Sequence, residues 1–222
     1  MKLKTIIFGS TGMIGQGVLA ECIVNNEVES ILVINRQSCN ITHPKLKEII
    51  HKNIFDLSEI ESEMCGYNTC FFCLGATATT LSEKQYHKIT FDLTIYVAQI
   101  LLKINNDFSF CYISGAGTDR SEKGRIMWTR VKGKTENALL AMPFKNAYMF
   151  RPGYIQPMNG IKSKTKLYNA LYFIFKPFYF ILKHFDSFVT SSETLAKAMI
   201  FAVANNYNKN ILESKDINKL TS

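Results

Sequence analysis

Apolar positions in the first 157 residues follow two spacings in alternation. Short apolar runs rich in β-branched and aromatic side chains predict buried strands, and apolar positions three to four apart predict helices. The predicted strands cover residues 3–8, 30–35, 48–54, 69–74, 108–113 and 146–150. The predicted helices cover residues 13–24, 58–64, 81–104 and 127–141. This alternation predicts an α/β fold with a doubly wound, mainly parallel sheet.

The pattern changes after residue 157, which divides the chain into a domain of residues 1–157 and a small, mainly helical extension of residues 158–222. Residues 167–185 are strongly aromatic, and Lys176-Pro177 interrupts them. They predict two short helices that cover the sheet edge or line a substrate site, with a membrane-surface or dimer contact as the alternative. A final helix is expected from Ser191 or Ser192 to about Asn205. Residues 211–220 predict a closing strand or an extended arm.

Composition limits the partners and the compartment. The chain has 222 residues, 47% of them apolar, and a formal net charge of +8. The basic residues are dispersed, so no nucleic-acid partner is expected. No secretory signal precedes the first strand, and six cysteines lie mostly in apolar runs, so a cytoplasmic protein with free thiols is expected. Cys70 and Cys73 would face opposite sides of a strand, so we expect neither a metal site nor a redox pair there.

The junction between the first strand and the first helix carries three glycines, in the stretch Gly9-Ser10-Thr11-Gly12-Met13-Ile14-Gly15. Gly9 permits a tight turn, Gly12 lets phosphates approach the backbone, and Gly15 lets the helix pack closely on the strand. The first helical N–H groups have no partner within the helix, so they favour an anion at this turn. The stretch, including Ser10, Thr11, Met13 and Ile14, is therefore predicted to bind a nucleotide diphosphate.

The second predicted strand ends in Asn35, and Arg36 follows directly. An acidic residue here would bind a ribose 2′-hydroxyl, whereas an arginine accommodates a 2′-phosphate. NADP(H) is therefore favoured over NAD(H). The alternative is that Arg36 only solvates the end of a strand.

Two further loops at the same sheet edge are candidates for nucleotide contacts. Asp56, followed by Leu57, could accept a hydrogen bond from the adenine amino group, or it could cap the helix that follows. After the fourth strand, Leu74, Gly75 and Ala76 include small residues that would let the chain pass close to the ribose and phosphates.

Several motifs together resemble the extended and atypical branches of the short-chain dehydrogenase/reductase superfamily. The glycine spacing resembles theirs, Tyr112 to Ala116 resembles the strand with the active-site serine, and Trp128 to Glu136 resembles the Tyr-x-x-x-Lys helix with a Lys-Gly-x-x-Glu continuation. Phe150 to Gly153 resembles the loop that closes over the nicotinamide. The resemblance covers residues 3 to about 155 and is strongest to NmrA-like and Tat-interacting-protein-like members. It implies a Rossmann fold that binds NAD(P), with Pro152, Gly153 and Tyr154 near the nicotinamide.

The resemblance also assigns catalytic positions. In the family the lysine holds the nicotinamide ribose and lowers the tyrosine pKa, the tyrosine exchanges a proton with the substrate, and the serine orients the substrate oxygen. Ser114 and Lys132 occupy the serine and lysine positions, but Trp128 stands at the tyrosine position. An indole N–H donates a hydrogen bond and is not an acid or base at useful pH.

Three consequences remain open. The chain could be an oxidoreductase or epimerase-like enzyme with a substitute acid, for which Tyr154, Tyr86 and His87 are the candidates. Water could instead protonate an unknown small-molecule substrate while Trp128 stacks on it or on the nicotinamide. The rival prediction is a catalytically silent NADP(H) sensor or partner-binding regulator.

Overall fold

The computed structural model describes residues 2–158 and 188–221 and contains one large parallel sheet. In this part of the chain, seven strands lie side by side in the order β3-β2-β1-β4-β5-β6-β9, and β7 and β8 form a separate parallel pair. The bounds are β1 Leu3–Phe8, β2 Val28–Asn35, β3 Leu46–Ile50, β4 Thr69–Phe72, β5 Ser109–Ile113, β6 Asn146–Arg151, β7 Tyr154–Gln156, β8 Val189–Ser191 and β9 Ile211–Glu213. The predicted doubly wound sheet is confirmed.

Helices cover both faces of the sheet. They are α1 Met13–Val24, α2 Glu83–His87, α3 Leu93–Ile104, α4 Met127–Ala141, α5 Ser192–Ala204 and α6 Ser214–Lys219. Ile7 of β1 packs with residues of α1, α5 and α6 on one face, whereas Ile6 packs with residues of α3 and α4 on the other. Cys70 belongs to the second core and Cys73 packs against the first, so the two thiols lie on opposite sides of the sheet.

The prediction of a single helix over residues 81–104 is wrong, because this helix is interrupted in its middle. Ser82 caps α2 through a capping box with Gln85, and a π-helical turn, Lys88–Asp92, then joins α2 to α3. The Thr90 carbonyl in this turn accepts hydrogen bonds from the Thr94 hydroxyl at 2.7 Å and the Thr135 hydroxyl at 3.4 Å. Side-chain hydroxyls that bond the backbone in this way distort the helical ladder.

The segment between β3 and β4 also departs from the prediction. The third strand ends at Ile50 and not at residue 54, because the chain turns after His51 donates its backbone N–H to the Asn35 carbonyl. Residues Ser58–Met64 form the predicted helix, and it is a 3-10 helix. The turn brings Lys52 and Ile54 to the edge of the sheet beside β2.

Residues after 188 belong to the same core as the first strands. The Ser191 hydroxyl caps α5 by accepting a hydrogen bond from the Thr194 N–H at 2.9 Å. Gly17 of α1 lies against Ser192, and β9 pairs with β6, so the predicted closing strand is present and α6 follows it. The expectation for residues 167–185 lies outside the described residues. In the described ranges no helix has both the length and the apolar character that a bilayer crossing requires.

Candidate functional site

The three glycines lie at the point where the strand order of the sheet reverses. β1 is flanked by β2 on one side and β4 on the other, and α1 begins at Met13, directly after the turn that follows β1. In open α/β sheets, ligands bind at the carboxyl ends of the strands beside such a reversal. The N-terminus of α1 therefore points into the region where this fold binds ligands.

The turn is built so tightly that it excludes side chains at two positions. Gly9 has a φ of +84°, and a Cβ there would lie 2.9 Å from the Leu74 backbone nitrogen. A Cβ on Gly15 would collide with the Gly9 carbonyl oxygen. The Gly12 N–H donates to that same oxygen at 3.0 Å, which closes the turn. A bare stretch of backbone thus faces the sheet edge, as a diphosphate requires.

A cleft of about 540 Å³ opens beside this turn. The residues that line it come from the ends of β1, β2 and β4 and from the chain after β3: Gly9, Thr11, Gly12, Ile34, Asn35, Arg36, Gln37, Lys52, Ile54, Cys73, Leu74 and Gly75. Six of these are predicted cofactor contacts, namely Gly9, Thr11, Gly12, Arg36, Leu74 and Gly75. The structure therefore brings the glycine turn, the end of β2 and the end of β4 together around one cavity.

Other predicted contacts lie elsewhere. Ser10 is buried, Gly15 packs against the turn, and Met13, Ile14 and Ala76 do not line the cleft. These five residues support or flank the turn without forming the cavity wall.

Asp56 and Leu57 are engaged in local structure. The Asp56 carboxylate accepts hydrogen bonds from the Ser58 hydroxyl at 2.7 Å and the Ser58 N–H at 3.1 Å, and these bonds lower the pKa of Asp56. Leu57 is fully buried, and its N–H donates to the Tyr96 hydroxyl at 2.8 Å. The N-cap of the following helix is Leu57, without a side-chain cap, so the Asp56 carboxylate holds a local turn with Ser58 and is not the predicted helix cap.

Two cationic side chains, Arg36 and Lys52, line the same end of the cleft. The sequence analysis did not identify Lys52, because it predicted that the third strand continues through this residue to residue 54. In the sheet, β3 is the neighbour of β2, so the residues after β3 necessarily approach those after β2. Two cations among the lining residues give the cavity the charge that a phosphate group needs.

A second cluster contains Ser114, Lys132 and Trp128, at the carboxyl end of β5 and the first turns of α4. The Lys132 ammonium donates to the Ile113 carbonyl at 2.9 Å and the Ser114 carbonyl at 3.3 Å. Burial lowers the pKa of Lys132 to about 8, against the opposing attraction of Glu136 one turn along α4. None of the described residues that line the cleft comes from this cluster, which lies farther along the same sheet edge.

The Ser114 hydroxyl has a defined hydrogen-bond direction. The Thr118 hydroxyl donates to the Gly115 carbonyl at 2.7 Å, and the Ser114 and Thr118 oxygens are 2.9 Å apart. Because a hydroxyl has a single proton, Ser114 is the donor to Thr118. Ser114 therefore presents lone pairs, and a substrate hydroxyl could donate to it.

Trp128 packs over Gly115. An indole ring carbon lies 3.4 Å from the point that a Cβ on residue 115 would occupy. The indole thus stands next to Ser114. It fills this place with a flat apolar surface and offers no exchangeable acid.

The three candidate substitute acids are held by other contacts. Tyr86 is almost fully buried, and burial raises its pKa. The Tyr154 hydroxyl donates to the Gln156 side chain at 2.9 Å. His87 lies 3.2 Å from both the Lys134 ammonium and the Asp92 carboxylate, on the outer side of α4.

The loop after β6 is fixed to the end of β5 and to the last helix. The Pro152 carbonyl accepts from the Ala116 N–H at 3.0 Å, and the Gly153 N–H donates to the Ser214 hydroxyl at 2.9 Å. Gly153 also approaches Phe188 so closely that a Cβ would collide with it. Pro152, Gly153 and Tyr154 therefore lie near Ser114 in the fold and not in the cleft.

The site fits a dinucleotide better than a metal. Within residues 2–158 and 188–221 there is no group of three or more His, Cys, Asp or Glu side chains that could hold a metal ion. The glycine turn, which Cβ atoms would block, and the cation pair Arg36 and Lys52 match a diphosphate and a further phosphate.

Comparison with known proteins finds distant relatives in fungi. Protein FMP52, mitochondrial, of Chaetomium globosum is 26% identical over 157 residues, which span 68% of this chain and 66% of the relative. The protein fmp52, mitochondrial, of Emericella nidulans is 27% identical over 155 residues, 67% of this chain and 65% of the relative. The chain thus spans about two thirds of the length of these curated relatives. No protein-family model matches it.

These relatives correct one expectation. The sequence predicted a cytoplasmic protein, but the curated relatives that match it are named mitochondrial. The prediction of a cytoplasmic location is therefore wrong. It depended on the absence of a recognisable secretory signal, which does not distinguish the cytoplasm from an organelle.

Solved structures show the same fold. A UDP-N-acetylglucosamine 4-epimerase from Methanobrevibacter ruminantium, in complex with UDP-N-acetylmuramic acid, superposes with a TM-score of 0.70 at 16% identity, over 96% of this chain and 76% of that chain. A Bordetella bronchiseptica enzyme in complex with NAD+ superposes with a TM-score of 0.68 at 13% identity, over 98% of this chain and 77% of that chain. A short-chain dehydrogenase family protein from Francisella tularensis gives 0.66 at 14% identity, over 96% of both chains. The chain therefore has the Rossmann fold of short-chain dehydrogenases and sugar-nucleotide epimerases.

Proposed function

We propose that this protein binds a nicotinamide dinucleotide and is an oxidoreductase-like or epimerase-like protein that acts on an unidentified small molecule. The observation that carries the proposal is the glycine turn between β1 and α1, where side chains at Gly9 and Gly15 would collide with backbone. The turn opens on the cleft at the reversal of strand order, where this fold binds nucleotides. Solved structures with the same fold, among them an epimerase and a short-chain dehydrogenase family protein, support the same assignment.

The proposed cofactor is NADP(H) in preference to NAD(H). Arg36 and Lys52 supply two positive charges at the end of the cleft beside β2, and the residue that ends β2 is Asn35 and not an acid. A 2′-phosphate would gain charge-assisted hydrogen bonds from these cations. A 2′-hydroxyl would gain less from them.

The residues beyond the cleft define the chemistry that the chain itself can supply. A bound nicotinamide would donate or accept a hydride. Lys132 would hold the adjoining ribose, and the lone pairs of Ser114 would accept a hydrogen bond from a substrate hydroxyl. Trp128 would provide a stacking surface next to Ser114 and would leave proton exchange to water.

The second candidate function is a cofactor-sensing or partner-binding regulator. The observation in its favour is the indole of Trp128 beside Ser114, which offers no exchangeable acid. Lys132 and Ser114 would then serve binding alone. The mitochondrial names of the curated relatives support a mitochondrial setting for either function.

Binding can be tested with the chain's own fluorescence. Trp128 is the one tryptophan in the sequence, so quenching of its emission, with energy transfer to a reduced nicotinamide, reports occupancy next to it. We expect NADPH to quench the indole emission and to raise the melting temperature. A wild-type protein that shows neither response at saturating NADPH and NADH contradicts the proposal.

Turnover then separates the two candidate functions. NADPH oxidation in the presence of aldehydes, ketones and quinones is expected for an enzyme, and binding without oxidation is expected for a regulator. Trp128→Tyr would restore the family's acid and should create or raise turnover if the remaining site is intact. Trp128→Phe is the matched control, because it also removes the indole but adds no acid.

A further inference from the structure

A chain of two hydrogen bonds, the first buried and the second partly buried, runs from the glycine turn through β2 to β3. The Ser10 hydroxyl donates to Asn35 Oδ1 at 2.9 Å, and Asn35 Nδ2 donates to the Glu48 carboxylate at 2.8 Å. The amide of Asn35 is used on both sides, once as an acceptor and once as a donor. An aspartate at this position would place a second carboxylate against Glu48, where like charges repel. β2 thus ends without an acidic residue, and Glu48 of the neighbouring strand β3 supplies the carboxylate there.

The Glu48 carboxylate also holds the turn that follows β2. It accepts from the Ser38 hydroxyl at 2.6 Å and from the Cys39 N–H at 2.8 Å. The Asn40 N–H donates to the Ser38 hydroxyl at 3.0 Å, and Asn40 has a left-handed φ of 54°. The turn that carries Arg36 into the cleft is therefore tied to a side chain on β3.

Glu48 is ionised when it makes these contacts. Burial acts to raise the pKa of Glu48, but hydrogen bonds from Ser38, Cys39 and Asn35 outweigh it and lower that pKa. Hydrogen bonds to a charged acceptor are stronger than those between neutral groups. The turn is thus held more firmly than neutral contacts would hold it.

We propose that Glu48 is a positioning residue that presets the Arg36–Cys39 turn and thereby sets the preference of the cleft for a nucleotide with a phosphate on the ribose 2′ position. This inference depends on the proposed function. Glu48 itself does not line the cleft, whereas Arg36 and Gln37 do, so it acts through the turn. Preorganising a charged clamp before binding reduces the ordering that binding requires.

The experiment measures nucleotide affinity by isothermal titration calorimetry with the full chain. NADPH and NADH are compared for wild type, Glu48→Gln and Ser38→Ala. Adenosine 2′,5′-bisphosphate and AMP test whether the discrimination lies in the adenosine half. The matched control is Glu29→Gln, since Glu29 is an exposed acid near the start of β2 that pairs with Lys4 at 3.2 Å.

The expected result is a selective loss. In Glu48→Gln we expect the NADPH dissociation constant to rise about tenfold, or ~1.4 kcal/mol, and that of NADH to change less than about twofold. Ser38→Ala removes the hydrogen bonds of the Ser38 hydroxyl to Glu48 and to the Asn40 N–H while Glu48 remains, so a rise of about threefold for NADPH is expected. Glu29→Gln should leave both affinities unchanged. A melting curve with one transition at the wild-type temperature checks the folding of each variant.

Three results would overturn the inference. An unchanged NADPH to NADH ratio in both Glu48→Gln and Ser38→Ala means that Glu48 does not set the preference. Tighter NADPH binding in Glu48→Gln means that its charge repels the phosphate and that positioning is not its role. A wild-type chain that binds neither nucleotide rejects the proposed function, and this inference with it.

Discussion

Arg151 and Glu136 form a two-pronged ion pair that joins β6 to α4. Arg151 Nε donates to Glu136 Oε1 at 2.8 Å, and Nη2 donates to Oε2. Glu136 is completely buried, and Arg151 also contacts Glu213 of β9 at 3.1 Å. The pair therefore links three elements directly behind the Ser114 and Lys132 cluster.

Removing the buried partner of this pair should destabilise the fold. Glu136→Ala leaves the Arg151 charge without its main partner, so we expect a loss of about 3–5 kcal/mol in the free energy of unfolding. Urea denaturation at neutral pH measures it. Glu213→Gln is the control, because this partner is about half exposed and its pair should contribute less than about 1 kcal/mol. Equal losses in the two variants would contradict the assignment.

The buried ammonium of Lys132 makes the stability pH dependent. Its pKa in the folded chain is about 8, below the ordinary value of 10.5. Between these values the unfolded chain holds a proton that the folded chain has released, so stability rises with pH in this window. The protonated form is penalised in the fold below about pH 8.

Comparison with Lys132→Met isolates this contribution, because other groups titrate alike in both proteins. We expect wild type to gain stability relative to the variant as the pH rises from about 8 to 10.5. Chemical denaturation across this range measures the difference. Lys134→Met, on the exposed side of the same helix, is the control. Parallel curves for wild type and Lys132→Met would show that Lys132 keeps its proton in the fold.

Gly15 of the glycine turn and Gly75 after β4 should differ in their tolerance of a methyl group. Gly15→Ala forces a Cβ into the Gly9 carbonyl, so we expect a loss of about 1–3 kcal/mol and loss of NADPH binding. Gly75→Ala meets no atom within 4 Å, although Gly75 also lines the cleft. It should leave stability unchanged. Thermal melting with and without NADPH distinguishes the two variants.

An acidic residue in place of Asn35, at the end of β2, should destabilise the fold because Glu48 lies beside it. Asn35→Asp replaces the donor to Glu48 with a second carboxylate, so we expect about 1–3 kcal/mol of destabilisation at neutral pH. Asn53→Asp, in the exposed loop after β3, should change stability by less than about 0.5 kcal/mol. Urea denaturation measures both. An Asn35→Asp protein as stable as wild type would mean that Glu48 is protonated or has moved away.

The sequence alone predicted a structural feature correctly where the residues that contact each other are close in the chain. A Cβ on Gly15 would collide with the Gly9 carbonyl only six residues away, so the spacing of these two glycines predicted the close approach of α1 to the turn. The cap of α5 is equally local, since Ser191 bonds to Thr194. The alternating apolar patterns predicted the parallel sheet, because such patterns depend on whether each element is buried and not on which element it contacts.

Sequence reasoning failed where the partner comes from a distant element. Glu48 and Lys52 act at the end of β2 only because β3 lies beside it in the sheet. The break before α3 depends on Thr135, which approaches the Thr90 carbonyl from α4. Such contacts depend on residues that are distant in the sequence and become neighbours only in the folded protein.

The position of α5 against α1 has a consequence for biosynthesis. Leu19 and Cys22 of α1 pack in the same core as Leu195 and Met199 of α5, nearly the whole chain apart. During translation the part of this face that α5 covers stays exposed until α5 leaves the ribosome. The nascent N-terminal half would expose apolar surface in the meantime, so we expect it to engage chaperones and to acquire protease resistance only once α5 has emerged.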